Sequence, residues 1–438
     1  MDTRPTIAAR WVWTGHALLE GAVCEVAGDQ LGATSSGAPS GARLVLPGLV
    51  NAHSHAFQRS FRGHVQWRPP GRDDFWSWRD RMYAVANALD PDGVEAVTAL
   101  AFLEMAEAGI THVGEFHYLH HHPDGTRYAD PDELAKRVVS AARRVGIRLT
   151  LLRVAYARGG AGVPLRADQR RFGDASPDDV LSAIDRLRAW APEVTVGLAP
   201  HSVRAVPVEW LRAFAAFDGP VHAHVAEQPA ENEACSREHG CSPARVFADA
   251  GLVSERFTAV HLTHPSSGDV DLLAEAGAAV CVCPSTELDL GDGFLPLDAR
   301  TRLRACLGSD SHAVINPWQE LRDLELHGRG LAGRRNVLSP DGDRDGLSVR
   351  LLRSATLEGT RALGGAGLGL VSGAPADFVV LDLDHTAADG VPPLPAAAFV
   401  ATPAWVDEVW IAGRRIVAGG RHVARDAIRA AATPYLTR

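Results

Sequence analysis

The spacing of apolar positions changes twice along this chain. Over residues 1 to about 43 it falls into short segments, such as Ala8–Val12 and Ala22–Val26, parted by Gly and Ser. These read as strands, with Gly32–Gly41 as a connecting loop. From 44 to 365, compact apolar runs alternate with longer stretches of helical period. The runs are Arg43–Val50, Ile110–Phe116, Arg148–Ala155, Val194–Ala199, Val221–Val225, Thr258–Leu262, Ala278–Cys283 and Ala305–Gly308. Helical stretches between and after them include Asp90–Ala108, Pro131–Val145, Pro177–Trp190 and Leu347–Leu363. Short apolar runs suit strands buried on both faces, and their repeated alternation with helices predicts an α/β fold, a (β/α)8 TIM-like barrel. In such a barrel the functional groups gather at the C-terminal strand ends. After Leu363 short strands return: Phe378–Leu383, then Glu408–Ile411 and Arg415–Val417, a hairpin through Ala412-Gly413. The expected division is a barrel over 44–365 and a small β domain built from 1–43 and 366–438.

Composition narrows the partners. A net charge of -9 with no basic run argues against nucleic acid and anionic membrane. No long apolar stretch lacks charge, and the N-terminus lacks a basic segment followed by an apolar one, so a cytoplasmic protein is expected. The six cysteines have no metal-site spacing, and Cys281-Val282-Cys283 reads as buried strand.

Chemistry collects where the predicted strands end. The first run leads into His53-Ser54-His55, and residues i and i+2 of a strand point the same way. The fifth carries His222 and His224, followed by Glu227; the sixth holds His261; the eighth leads into Gly308-Ser309-Asp310-Ser311-His312. One H-x-H is a weak signal among 19 histidines, but histidines and an aspartate at the ends of several strands of one barrel are not. Three imidazoles and a carboxylate suit Zn²⁺ or Fe²⁺ and leave a coordination position for water. His224 is preferred to His222 as ligand because it lies nearer the catalytic end.

This arrangement resembles the amidohydrolase superfamily, which implies a metallohydrolase barrel flanked by a β-sandwich. Many binuclear members bridge two metals through a carboxylated lysine on the fourth strand. Here Val194–Ala199 has none, and the chain's one lysine, Lys136, lies in a helical stretch. The resemblance therefore implies the mononuclear, deaminase-rich branch. His53, His55, His224 and Asp310 would hold one divalent ion, zinc being favoured over Fe²⁺, and Glu227, His261 and Asp310 would serve the reaction. A homodimer is a further implication of the resemblance.

Three motifs bear on the substrate: His55-Ala56-Phe57-Gln58-Arg59 followed by Asp74-Phe75-Trp76-Ser77-Trp78-Arg79, then Glu115-Phe116-His117-Tyr118, then Pro200-His201-Ser202-Val203-Arg204. Guanidinium pairs bidentately with carboxylate, so Arg79 and Arg204 in one pocket point to an acidic small-molecule substrate. The combined motifs resemble the deiminase family that hydrolyses N-formimino-L-glutamate to N-formyl-L-glutamate and ammonia in histidine degradation. That resemblance implies substrate contacts from Gln58, Arg79, Tyr118, His201 and Arg204. A rival within the enzyme class is a mononuclear aminohydrolase of a nucleobase or related heterocycle, like guanine or cytosine deaminase. A rival of another class, a barrel that binds without catalysing, is opposed by the intact Glu227, His261 and Asp310. His120-His121-His122 reads as a solvated loop, and Trp67–Trp78 as a candidate for closure over the site.

Overall fold

The computed structural model describes residues 5–37, 41–68, 70, 71 and 73–436. Among the described residues, sixteen strands form two sheets. In chain order they are β1 (Thr6–Trp13), β2 (Leu18–Ala27), β3 (Gln30–Ser36), β4 (Arg43–Pro47), β5 (Leu49–Ser54), β6 (Ile110–His117), β7 (Arg148–Ala155), β8 (Thr195–Pro200), β9 (Val221–Val225), β10 (Phe257–His261), β11 (Ala279–Val282), β12 (Arg304–Leu307), β13 (Phe378–Asp382), β14 (Val406–Ile411), β15 (Arg414–Ala418) and β16 (Arg421–His422). Strands β5 to β12 pair in sequence order, every pair parallel, as an eight-stranded, nearly closed barrel. The terminal segments make a separate mixed sheet in the order β16-β15-β14-β13-β4-β1-β2-β3. That sheet has an apolar cluster of its own, including Ile7, Val12, Val26, Val45, Phe378 and Val380.

The expected first barrel strand proves to be two strands in two sheets. Arg43–Pro47 pairs with β1 and β13 in the terminal sheet, and the barrel begins only at Leu49. Gly48 makes the step between them. A Cβ there would meet Thr111 Oγ1 at 2.1 Å, so only glycine lets the chain pass so close to β6. The expected Gly32–Gly41 loop also differs: Gln30–Ser36 is a strand paired with β2, and residues 38–40 lie outside the described residues.

Local signals start and stop the helices. We number those used below α1 (Phe75–Ala88), α2 (Pro91–Glu107), α3 (Glu133–Val145) and α4 (Pro177–Trp190). Asp90 caps α2 through the Gly93 amide at 2.7 Å, with Pro91 at the first helical position. Gly146 ends α3 in the left-handed region. The single helix expected over Leu347–Leu363 is broken at Thr356 into Gly346–Ser354 and Leu357–Ala362, where the Ala355 carbonyl accepts from Val50 N of β5 instead of continuing the helix. No helix among the described residues is long and apolar enough to cross a membrane.

Barrel closure falls at the C-terminal ends of the strands. Beyond β12, Ser309 N and Asp310 N donate to His53 O at 3.2 and 3.0 Å, and His55 N donates to Asp310 O at 3.1 Å. A side chain at Gly308 would meet the His53 backbone and Cys283, so glycine permits this approach too. His53, His55 and Asp310, three of the candidate site residues, therefore also form the seam.

Candidate metal centre and substrate cavity

Four side chains bring donor atoms within 4.8 Å of one another: His53 from β5, His224 from β9, His261 at the end of β10 and Asp310 after β12. All four are buried. His53 Nε2 lies 3.2 Å from His224 Nε2 and 3.3 Å from Asp310 Oδ1, and His55 Nε2 reaches that same oxygen at 3.1 Å. His261 Nε2 is 3.7 Å from Asp310 Oδ2 and 3.7 Å from Glu227 Oε1. The six metal and reaction histidines and acids named from sequence (His53, His55, His224, Glu227, His261 and Asp310) thus converge on one spot. The set of donors within 4.8 Å of one another includes His261, whereas His55 meets the cluster through Asp310.

The rings are oriented from behind. His55 Nδ1 faces the Phe116 carbonyl at 3.1 Å, and His224 Nδ1 faces the His201 carbonyl at 3.0 Å, which leaves each Nε2 directed at the cluster. Ala226, His261, Leu262, Asp310 and His312 all adopt positive φ, between 46° and 69°. Non-glycine residues in that region carry local strain, and here they crowd around the strand ends that hold the site.

These residues fit a divalent cation. Burial pushes His53 down to about 3 and His224 well below its ordinary value, so both rings are neutral and keep a lone pair for a metal. His261 Nε2 has no hydrogen-bond partner, and Nδ1 lies 3.5 Å from Glu287 Oε1. Burial alone would lower His261, but Glu227, Glu287 and Asp310 outweigh it and raise the ring to about 10. That reversal marks a strongly negative spot, the potential a cation needs. Asp310 is held well below the carboxylate range, because His53 and His55 overcome the opposing effect of burial. Glu227 is pushed up, chiefly by burial.

Beside the donors lies a small cavity lined by His55, Gln58, Arg79, Tyr118, His201, Arg204, His224, Glu227 and Asp310, with Phe75, Trp78, Met82, Tyr83, Tyr156 and Leu290. All five substrate residues named from sequence share it. Gln58 Nε2 donates to Tyr118 Oη at 3.1 Å, while its carbonyl oxygen has no partner. Trp76 carries both arginines: the Arg79 and Arg204 guanidinium carbons lie 4.6 and 5.6 Å from its ring centroid. Neither guanidinium forms an ion pair with a carboxylate of the described residues, and Arg79 Nε is buried without an acceptor.

Sequence reasoning missed several neighbours. Glu115 accepts from Ser54 Oγ at 2.5 Å and Ala56 N at 2.7 Å, bracing the H-x-H segment. Burial raises it to about 7. His312 bridges Ser54 Oγ and Ser309 Oγ at 3.1 and 3.0 Å. Glu231, raised by burial to about 7, approaches Glu227 N at 3.3 Å. The sequence signal for Glu231 was its place one helical turn beyond Glu227. His222 packs in the barrel, with Nε2 2.8 Å from the Ala362 carbonyl. The histidine run is a solvated loop only at His122, which is exposed: His120 and His121 are buried, His120 against the Val154 carbonyl and Arg153, and His121 against the Gly173 carbonyl. Of Trp67–Trp78, residues 69 and 72 lie outside the described residues, and 75–78 form the first turn of α1.

The sequence profile of the amidohydrolase family matches residues 44–416, and the chain belongs to that family. It is 37% identical over 418 residues to formimidoylglutamate deiminase of Pseudomonas aeruginosa, covering 93% of this chain and 91% of that protein. It is 31% identical over 351 residues to 5-methylthioadenosine/S-adenosylhomocysteine deaminase of Halobacterium salinarum, covering 78% of this chain and 73% of that one. Among solved structures, an amidohydrolase from Brucella melitensis aligns with a TM-score of 0.91 at 37% identity, over 98% of both chains.

Proposed function

We propose that this protein is a metal-dependent deiminase that hydrolyses N-formimino-L-glutamate to N-formyl-L-glutamate and ammonia, a step of histidine degradation in the cytoplasm. One observation carries the reading: two arginines that form no ion pair with a carboxylate of the described residues face the same cavity as the His/Asp donor cluster, with Glu231 and Glu227 acting on Arg204 only from a distance. A neutral heterocycle gives such a pair nothing to bind, whereas a dicarboxylate gives each guanidinium an acceptor. The 37% identity to a formimidoylglutamate deiminase supports the same substrate.

His53, His55, His224 and Asp310 would hold a single divalent ion, with zinc the best match to borderline nitrogen and oxygen donors. When bound, such an ion supplies a hydroxide nucleophile near neutral pH by lowering the pKa of water from about 15.7 to about 7. Arg79 and Arg204 bind the substrate carboxylates, and Gln58, Tyr118 and His201 orient the formimino arm. Asp310 takes the proton from the attacking water. His261, between Glu227 and Asp310, aligns the water with the amidine carbon. The reaction must expel ammonia and keep the glutamate nitrogen. Glu227, whose carboxyl holds a proton more readily than an exposed one, delivers it to the terminal nitrogen and so makes that choice.

The test is ammonia release by the zinc-loaded protein from N-formimino-L-glutamate, assayed beside guanine, cytosine and 5-methylthioadenosine. Turnover of the acidic amidine alone is expected. Turnover of a base or nucleoside with none of the amidine would overturn the reading.

A further inference from the structure

We propose that the hydroxyls of Tyr83 and Tyr156, committed by Gln169, form a proton-donating clamp for a substrate carboxylate and make the site prefer a charged acid over its amide. The inference rests on the acidic-amidine reading and adds a specificity element to it. Tyr83, from α1, and Tyr156, just beyond β7, line the cavity with Arg79 and Arg204. They are 3% and 2% exposed, so water cannot freely satisfy them.

Proton counting carries the argument. The two hydroxyl oxygens are 3.4 Å apart. Gln169 is buried beneath them, and its Oε1 accepts from Arg166 N at 3.0 Å, which fixes the amide orientation. Its Nε2 therefore donates one proton to Tyr156 Oη at 3.1 Å and the other to Tyr83 Oη at 3.3 Å. Both hydroxyls are thus acceptors from Gln169, and each still has one proton of its own. One of those protons can pass between the pair. The other has no acceptor among the described residues, and a buried donor left so is costly until a ligand supplies one. Arg79 Nε is a second unsatisfied donor there, with its guanidinium carbon 5.5 Å from the Tyr83 ring centroid.

A carboxylate offers only acceptor sites and can take guanidinium and hydroxyl protons together. A carboxamide turns an NH₂ towards these donors and leaves one unpaired, which is how a polar pocket rejects a near-isostere.

The experiment measures kcat and KM for N-formimino-L-glutamate and N-formimino-L-glutamine with wild type, Tyr83→Phe, Tyr156→Phe and the double variant. Phe keeps the rings in place. The double variant should raise KM for the glutamate substrate about 10- to 100-fold, with kcat within about threefold, and shrink the acid-over-amide preference by the same factor. Each single variant should cost only a few-fold, because the surviving hydroxyl still accepts from Gln169 and its proton is freed for the ligand. Should the double variant fail to fold, Gln169→Glu gives the same reading: its carboxylate would accept the hydroxyl protons and withdraw the clamp, again raising KM. A KM within about threefold of wild type in the double variant or in Gln169→Glu, or equal losses on both substrates, would overturn the proposal. If wild type releases no ammonia from N-formimino-L-glutamate, the acidic-amidine reading itself has failed. If wild type is active and only the variants disagree, the clamp alone has failed.

Discussion

Removing the Arg204 guanidinium should weaken capture of the substrate far more than it slows the bound complex. Its side chain rests against Trp76, makes no ion pair with a carboxylate of the described residues, and sits beside Arg79 at the cavity wall. Truncating one partner of a charge-assisted pair in a partly buried site costs about 2–4 kcal/mol when a neighbour such as Arg79 remains to share the load. That corresponds to about 30- to 700-fold in affinity. The loss should fall on KM, since carboxylates remote from the reacting carbon are held alike in ground and transition states. Stability should change modestly, because the folded protein loses a cation–π contact of about 0.5–1 kcal/mol together with the positive charge that faces Glu231 and Glu227. Arg204→Lys should land between the two, since an ammonium keeps the charge but loses the planar fork. The assay is steady-state turnover of N-formimino-L-glutamate, with metal content and Tm measured on the same preparations. A KM for Arg204→Ala within threefold of wild type, or a loss confined to kcat, would refute the acidic-substrate argument.

Glu227→Gln should lose about 10²–10⁴ in kcat while keeping its metal, as checked by elemental analysis; near-normal turnover would remove Glu227 from proton delivery. Metal titration of His55→Ala against His261→Ala decides between the two donor sets around Asp310. The ligand set His53, His55, His224 and Asp310 requires loss of metal in the first and retention in the second, and the reverse result would replace His55 with His261. Stability should also respond to pH through Glu320, which accepts from Ser285 N at 3.0 Å and is raised by burial from 4.5 to about 8. The folded chain keeps a proton there that the unfolded chain releases. This contribution is full below pH 4.5 and is lost as pH rises through about 8, by up to about 1.4 kcal/mol per pH unit. Urea unfolding at pH 5, 7 and 8 should show a shallower decline for Glu320→Gln, and an unchanged slope would contradict it.

Most of the barrel was legible because its strands are buried on both faces and its helices on one, so the two periods differ plainly in sequence. Strands β6 to β12 start and stop within a residue or two of their expected limits. The failures have physical causes. Arg43–Ser54 is almost uniformly buried, so nothing in its pattern tells that Gly48 hands it from one sheet to another. His120 and His121 are polar in sequence yet buried, because the Val154 and Gly173 carbonyls and Arg153 meet them from distant segments.

The sequence by itself determined which chemistry is available: H-x-H at a strand end, single histidines and an aspartate at others, and one lysine in the wrong place to bridge two metals. It also supplied the arginines that point to an acidic ligand. Only the tertiary structure decided how those groups meet. Barrel closure through His53, His55 and Asp310, the carboxylates that raise His261, and the Gln169 amide that commits two tyrosines all join residues far apart in the chain. Periodicity reports what one segment buries. The distances that make donors into a metal site, or hydroxyls into a clamp, arise only when separate segments are packed against one another.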